Sequence, residues 1–139
     1  MTTGTPEPAF DTTIDHVGIA TDDIEALSEL YVELLGCAVA HQETFDGMDV
    51  LFLEFGNGYF ELLEPLEPEG AIARYLDSNG PGIHHVALAT DDIELALENA
   101  VACGVERIDD EPRAGAWGHD VAFMHPKSTG GVLLEFVQH

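Results

Sequence analysis

The sequence predicts an α+β fold of two tandem βαβββ modules whose curved sheets enclose a cleft. Two observations carry this. First, the segment Asp15-His16-Val17-Gly18-Ile19-Ala20-Thr21-Asp22-Asp23-Ile24 returns as His84-His85-Val86-Ala87-Leu88-Ala89-Thr90-Asp91-Asp92-Ile93, an offset of 69 residues in a chain of 139. Second, each copy is followed by a helical apolar pattern and then by short strand patterns. A module of this size cannot bury both faces of its sheet alone, so the two must share a core.

Residues 1–13, rich in Thr, Pro and Gly, read as a flexible tail. Module one spans 14–64. Ile14 to Ala20 is apolar and β-branched, a buried strand. Thr21-Asp22-Asp23 caps a helix carrying Ile24, Leu27, Tyr31 and Leu34 on one face, and Gly36 ends it. Strands are expected at Ala38 to Glu43, Val50 to Phe55 and Tyr59 to Leu63, separated by Gly47 and by the Gly56-Asn57-Gly58 turn. A linker over 65–82 contains one short helix, Ala71 to Leu76. Module two, 83–138, repeats the order. It has a strand at His84 to Ala89, a helix through Ile93, Ala96, Leu97, Ala100 and Val101, and a short strand at Val105 to Ile108. A loop from Asp109 to Gly118 leads to strands at Val121 to His125 and Val132 to Gln138.

Composition excludes some functions. With 27 acidic residues against 4 basic the net charge is −23, so nucleic acid is not an expected partner. No apolar run is long enough to span a membrane and no basic-then-apolar leader opens the chain. A cytoplasmic protein is expected, and the scattered acids suggest a salt-rich cytoplasm, where screening relieves self-repulsion. Cys37 and Cys103, each beside a glycine at a helix end, read as small buried residues.

Strand alternation decides which side chains can meet. His16 shares a face with Gly18 and Ala20, and His85 with Ala87 and Ala89, so small neighbours leave room around each imidazole. Glu61 and Glu135 interrupt apolar strands at the ends of the two modules, 74 residues apart. An unpaired buried carboxylate costs several kcal/mol; a divalent ion would offset that. Two neutral imidazoles and two carboxylates balance M²⁺ and suit Co²⁺, Mn²⁺, Ni²⁺, Zn²⁺ or Fe²⁺. An octahedral ion so held keeps two positions for substrate. Taken singly, such residues are usually structural or solvent-facing; their recurrence at matching places makes the cleft a metal-binding one. By alternation His84 points away from His85 and reads as structural. His41 and His139 read as exposed, and His119 and His125 as structural or surface residues. Lys127, the chain's only lysine, stands beside a Gly-rich turn with Ser128 and suggests an anion contact, as Arg113 does more weakly.

The motifs Asp15-His16-Val17-Gly18-Ile19-Ala20, Glu61-Leu62-Leu63-Glu64-Pro65-Leu66, Gly82-Ile83-His84-His85-Val86-Ala87, Asp110-Glu111-Pro112-Arg113-Ala114-Gly115 and His125-Pro126-Lys127-Ser128-Thr129-Gly130-Gly131-Val132-Leu133-Leu134-Glu135 resemble the methylmalonyl-CoA epimerase family of the vicinal oxygen chelate superfamily. The resemblance covers Ile14 to Gln138. It implies a divalent metal, Co²⁺ favoured, on His16, Glu61 (Gln in some relatives), His85 and Glu135. It also implies interconversion of (R)- and (S)-methylmalonyl-CoA by α-proton abstraction and return, with Glu135 as one acid/base. Lys127, Arg113 and Ser128 are the expected acyl-CoA contacts, and a homodimer is compatible. Some relatives carry a second catalytic Glu where this chain has Val50; Asp49 and Glu43 are then the candidates for that role. Trp117 and His119 stand where relatives often have smaller residues or Lys, which bears on how the CoA tail is held. Two other readings compete. One is another metal-dependent enzyme of the superfamily, either a glyoxalase-type lyase using the same ligands or an extradiol dioxygenase, which two carboxylates in place of one argue against. The other is an antibiotic-sequestering binding module, which retention of all four ligands opposes.

Overall fold

The structure, a computed structural model, describes residues 10–139. The part of the expected tail over residues 1–9 lies outside the described residues. Of the remainder, Phe10 is buried in the second module's core, and the first strand already begins at Thr12. That strand's opening residues pair with Thr90 and Ala89.

Module one contributes β1 (Thr12–Ala20), α1 (Ile24–Leu35), β2 (Ala38–Phe45), β3 (Met48–Phe55) and β4 (Gly58–Pro65). After α2 (Ala71–Asn79), module two contributes β5 (Gly82–Thr90), α3 (Ile93–Ala102), β6 (Arg113–Ala114), β7 (Asp120–Met124) and β8 (Leu134–Gln138). Both cap signals operate. The Asp23 side chain accepts the Ala26 N–H and that of Asp92 the Leu95 N–H, each at 3.1 Å, and Gly36 closes α1 in the left-handed conformation at φ 68°.

The two module sheets do not stay separate. They join edge to edge into one eight-stranded mixed sheet, curled as a half-barrel, in the order β2-β3-β4-β1-β5-β8-β7-β6. That order is a palindrome about the antiparallel β1–β5 seam, as a duplicated module requires. Val105 to Ile108 forms no strand. Only Arg107 bridges Met124, because the N–H groups of both Ile108 and Asp109 turn to the single Phe123 carbonyl. The edge strand equivalent to β2 is instead the two-residue β6.

Leu51, Leu53 and Leu62 face α1, and Ala96, Leu97 and Ala100 of α3 pack on Ala122, Met124 and Phe136. The opposite pleat of β3 and β4, with Val50, Phe52 and Leu63, faces the concave side together with Ile72 of α2. Cys37 is buried as expected; Cys103 is exposed.

Candidate metal centre

The seam sets the site. In the β1–β5 register His16 lies opposite Ala87 and Gly18 opposite His85, so the two imidazoles meet diagonally across the pseudo-twofold. The parallel neighbours complete the symmetry, with Gly18 opposite Glu61 and Ala87 opposite Glu135. All four side chains are buried. Gly18 is required here: a Cβ on it would lie 2.1 Å from His85 Cε1.

The donor atoms converge. His16 Nε2 and His85 Nε2 are 3.3 Å apart. Glu61 Oε1 stands 3.2 Å from the first and 3.3 Å from the second, and Glu135 Oε1 3.2 Å from both. Despite those neighbours Glu135 Oε1 has no hydrogen-bond partner. Ligands ~2.2 Å from one ion and at right angles stand about 3 Å apart. A buried, unbonded carboxylate oxygen against two imidazole nitrogens at this spacing fits a divalent cation.

Without an ion the cluster balances itself. Burial alone would lower His16 and His85, but the carboxylates around them prevail. Asp15, Glu135 and Glu61 raise His16 to about 11, and Glu135 and Glu61 raise His85 to about 8. Burial would raise Glu61, and the two imidazoles instead hold it at about 2; Glu135 is lowered for the same reason.

Two further residues touch the ligands, and alternation alone missed both. Asp15 Oδ2 accepts from His16 Nδ1 at 2.6 Å, and Asp15 Oδ1 accepts from His139 Nε2 at 2.6 Å, with His139 exposed as expected. His84 does not point away: its Nδ1 is 2.9 Å from His85 Nδ1. Burial and the neighbouring His85 lower His84 to about 4.

Beside the cluster opens a cavity of about 170 Å³, walled by Val50, Leu63, Ile72 and Ala116 and bordered by Glu61, His84, His85 and Glu135. Among the described residues Arg113 is the only arginine or lysine on its lining. Its Nε donates to Asp109 at 3.1 Å and its guanidinium lies 5.5 Å over the Phe123 ring, which in turn packs edge-on against His85. Lys127 is exposed and off the cavity, and the Ser128 hydroxyl already accepts the Glu106 N–H. Glu43 and Asp49 do not line the cavity either. Glu43 accepts the Trp117 N–H and contacts His41, and Asp49 accepts from Thr44. Trp117, at φ 62° and stacked on His41, ties the turn after β6 to the far edge of module one.

The sequence profile of the Glyoxalase/Bleomycin resistance protein/Dioxygenase superfamily matches residues 15–123. The mouse mitochondrial methylmalonyl-CoA epimerase is 36% identical over 128 residues, 90% of this chain and 72% of that one. The ethylmalonyl-CoA/methylmalonyl-CoA epimerase of Cereibacter sphaeroides is 36% identical over 90% of this chain and 96% of its own. A solved methylmalonyl-CoA epimerase in complex with methylmalonyl-CoA and NH₄⁺ superposes with a TM-score of 0.87 at 37% identity, covering 91% of this chain and 94% of that one. The chain belongs to the glyoxalase/bleomycin resistance protein/dioxygenase superfamily and, within it, to the methylmalonyl-CoA epimerase family.

Proposed function

We propose that this chain epimerises methylmalonyl-CoA at a divalent-metal site formed by His16, Glu61, His85 and Glu135. The observation that carries the proposal is the convergence of four buried donor atoms, one of them an unbonded carboxylate oxygen, at the inner end of an apolar cavity. When bound, the ion supplies Lewis-acid stabilisation of the charge that develops as the α-proton leaves. The protein's own groups do the rest. Val50, Leu63 and Ile72 wall the acyl end from water. Arg113, half-exposed and braced by Asp109, offers its remaining N–H groups to an anionic part of the acyl-CoA. Lys127 and Ser128, farther out, are left for the CoA tail.

Epimerisation requires one group to take the α-proton from one face and another to return a proton on the opposite face. Glu135 is the first. Val50, fully buried on the cavity wall, leaves nothing titratable where some relatives carry their second Glu, and Glu43 and Asp49 are engaged elsewhere. The remaining carboxylate at the ligand cluster is Glu61, related to Glu135 by the pseudo-twofold, and it is the opposing acid/base. The test is α-carbon deuterium uptake in D₂O alongside epimer conversion. Wild type should do both. Glu135→Gln and Glu61→Gln should each lose epimerisation by ~10²-fold or more while still exchanging the proton of one epimer each, and a different one. Absence of any uptake by the metal-supplemented wild type would discard the epimerase reading; full activity in Glu61→Gln would discard only the second assignment.

A further inference from the structure

Asp15 and His84 occupy equivalent places in the repeat, and the strand pairing treats them alike. Along the β1–β5 seam the register passes from Ile14 opposite Leu88 to His16 opposite Ala87, so Asp15 has no ladder partner. It passes likewise from Gly18 opposite His85 to Ile19 opposite Ile83, and His84 has none. Each is the extra residue of a β-bulge immediately before a ligand histidine. A bulge re-aims its side chain, and both side chains are brought back to the Nδ1 of the residue that follows: Asp15 Oδ2 at 2.6 Å from His16, His84 Nδ1 at 2.9 Å from His85.

We propose that His84 is the positioning residue for the metal ligand His85: its Nδ1 lone pair accepts the His85 Nδ1–H, as the Asp15 carboxylate does for His16, and so aims the His85 Nε2 lone pair at the shared centre. The proposal rests on the metal reading above. Two nitrogens at 2.9 Å must share one proton. An imidazole that binds metal through Nε2 carries its proton on Nδ1, so His84 is the acceptor and its own proton sits on Nε2. The His84 ring is held in place by the edge-on Tyr75 ring, 5.2 Å away, whose hydroxyl donates to the Ile83 carbonyl at 2.7 Å. His84 also borders the substrate cavity, whereas Asp15 is backed by His139 and does not. The duplicated bulge thus serves two ligands with different acceptors, a carboxylate on one side and a neutral imidazole on the other.

The experiment is chelator competition with Co²⁺ or Zn²⁺ on wild type, His84→Leu and His84→Asn. His84→Leu removes the acceptor and should weaken metal binding roughly ten- to hundredfold, the usual cost of losing a ligand's hydrogen-bond partner. The His84→Asn amide oxygen can take the place of Nδ1 and should recover most of the loss, which a merely space-filling role would not predict. A second measurement needs no variant. In the Zn²⁺-loaded wild type, ¹⁵N NMR should show His84 protonated on Nε2 and His85 on Nδ1. A His84 found protonated on Nδ1, or a His84→Leu protein with unchanged affinity, overturns the role while leaving the metal site standing. A wild type that binds neither ion overturns the metal reading beneath it.

Discussion

Asp15, His16, Glu61, His85 and Glu135 are each under 9% exposed, and a buried charge persists only where its neighbours compensate it. That compensation makes the metal-free protein pH-sensitive in a definite sense. A histidine raised on folding stabilises fully below its unfolded value of 6.5, and the contribution is lost as the pH climbs through its folded value, about 8 for His85 and about 11 for His16. Glu61, lowered on folding from 4.5, stabilises above that value and loses the contribution as the pH falls through about 2. His84, lowered on folding from 6.5 to about 4, acts in the opposite sense and withdraws stability as the pH falls from 6.5 towards 4. Metal-free protein should therefore be most stable near pH 6.5, with Tm falling on the acid side and again as the pH rises through 8. Metal-loaded protein holds both imidazoles neutral and should show no such fall in that window. Melts with chelator and with Co²⁺ check this; parallel declines would remove the imidazolium–carboxylate balance from the stability. That His16, Glu61, His85 and Glu135 would meet was legible in the sequence, because a duplicated module marks these places twice. Asp15 and His84 were not, because period-two alternation sends neighbouring side chains to opposite faces and a bulge is invisible to it. A signal was present nonetheless: both copies place a polar residue immediately before the ligand histidine.

The same duplication operates on whole elements. The first N–H of α1 goes to Glu64 Oε1 at 2.8 Å and that of α3 to Gln138 Oε1 at 2.9 Å, three residues beyond Glu61 and Glu135 respectively. Helix orientation and ligand position are thereby fixed by one strand in each module. Helix starts, the Gly36 stop and most strands could be read from caps and turns. The last module's edge could not. Val105 to Ile108 has strand composition, but Asp109 captures the Phe123 N–H with its side chain at 2.8 Å and turns the chain out of the ladder. The seam between β1 and β5 is tightly packed, since the His85 ring lies against Gly18. Gly18→Ala places a methyl 2.1 Å from His85 Cε1. The ring must swing away, and the backbone cannot absorb the change without parting the seam. We expect a loss of about 1–3 kcal/mol in stability, the usual cost of overpacking, together with metal affinity lower by roughly tenfold or more as His85 leaves its aim. Thermal melts and chelator competition measure the two separately. Unchanged metal binding would show that β1 and β5 can separate locally, and that the close approach does not hold the ligand.

At the scale of the molecule, a repeat offset of half the chain implies two like modules enclosing one cleft, and the sequence allowed that reading. It did not reveal that the halves fuse edge to edge, because pairing partners across a seam leave no local periodicity. The charge raises a different question. A chain with net charge −23 and 4 cations repels itself on folding, and two of those cations, Arg107 and Arg113, are already spent on the adjacent Asp110 and Asp109. Among the described residues no arginine or lysine pairing relieves the remainder, so relief must come from the solvent. The Debye length is about 10 Å at 0.1 M salt and about 3 Å at 1 M, short enough at the higher value to uncouple most surface acids from one another. Tm should therefore rise steeply from dilute buffer to about 1 M KCl; a few kcal/mol of relieved repulsion corresponds to roughly 10 °C for a domain of this size. Screening and solute exclusion can be separated, because exclusion strengthens burial more with sulfate than with chloride. If repulsion is the cause, KCl and Na₂SO₄ at matched ionic strength give nearly equal Tm below about 0.5 M, where screening dominates, and diverge only above it. The same series run on metal-loaded protein should keep its slope, since the buried cluster is already neutral and the acids that repel lie on the surface. A Tm indifferent to KCl would mean that the acidic surface costs the fold nothing, and salt adaptation would have to be given up as the reason for it.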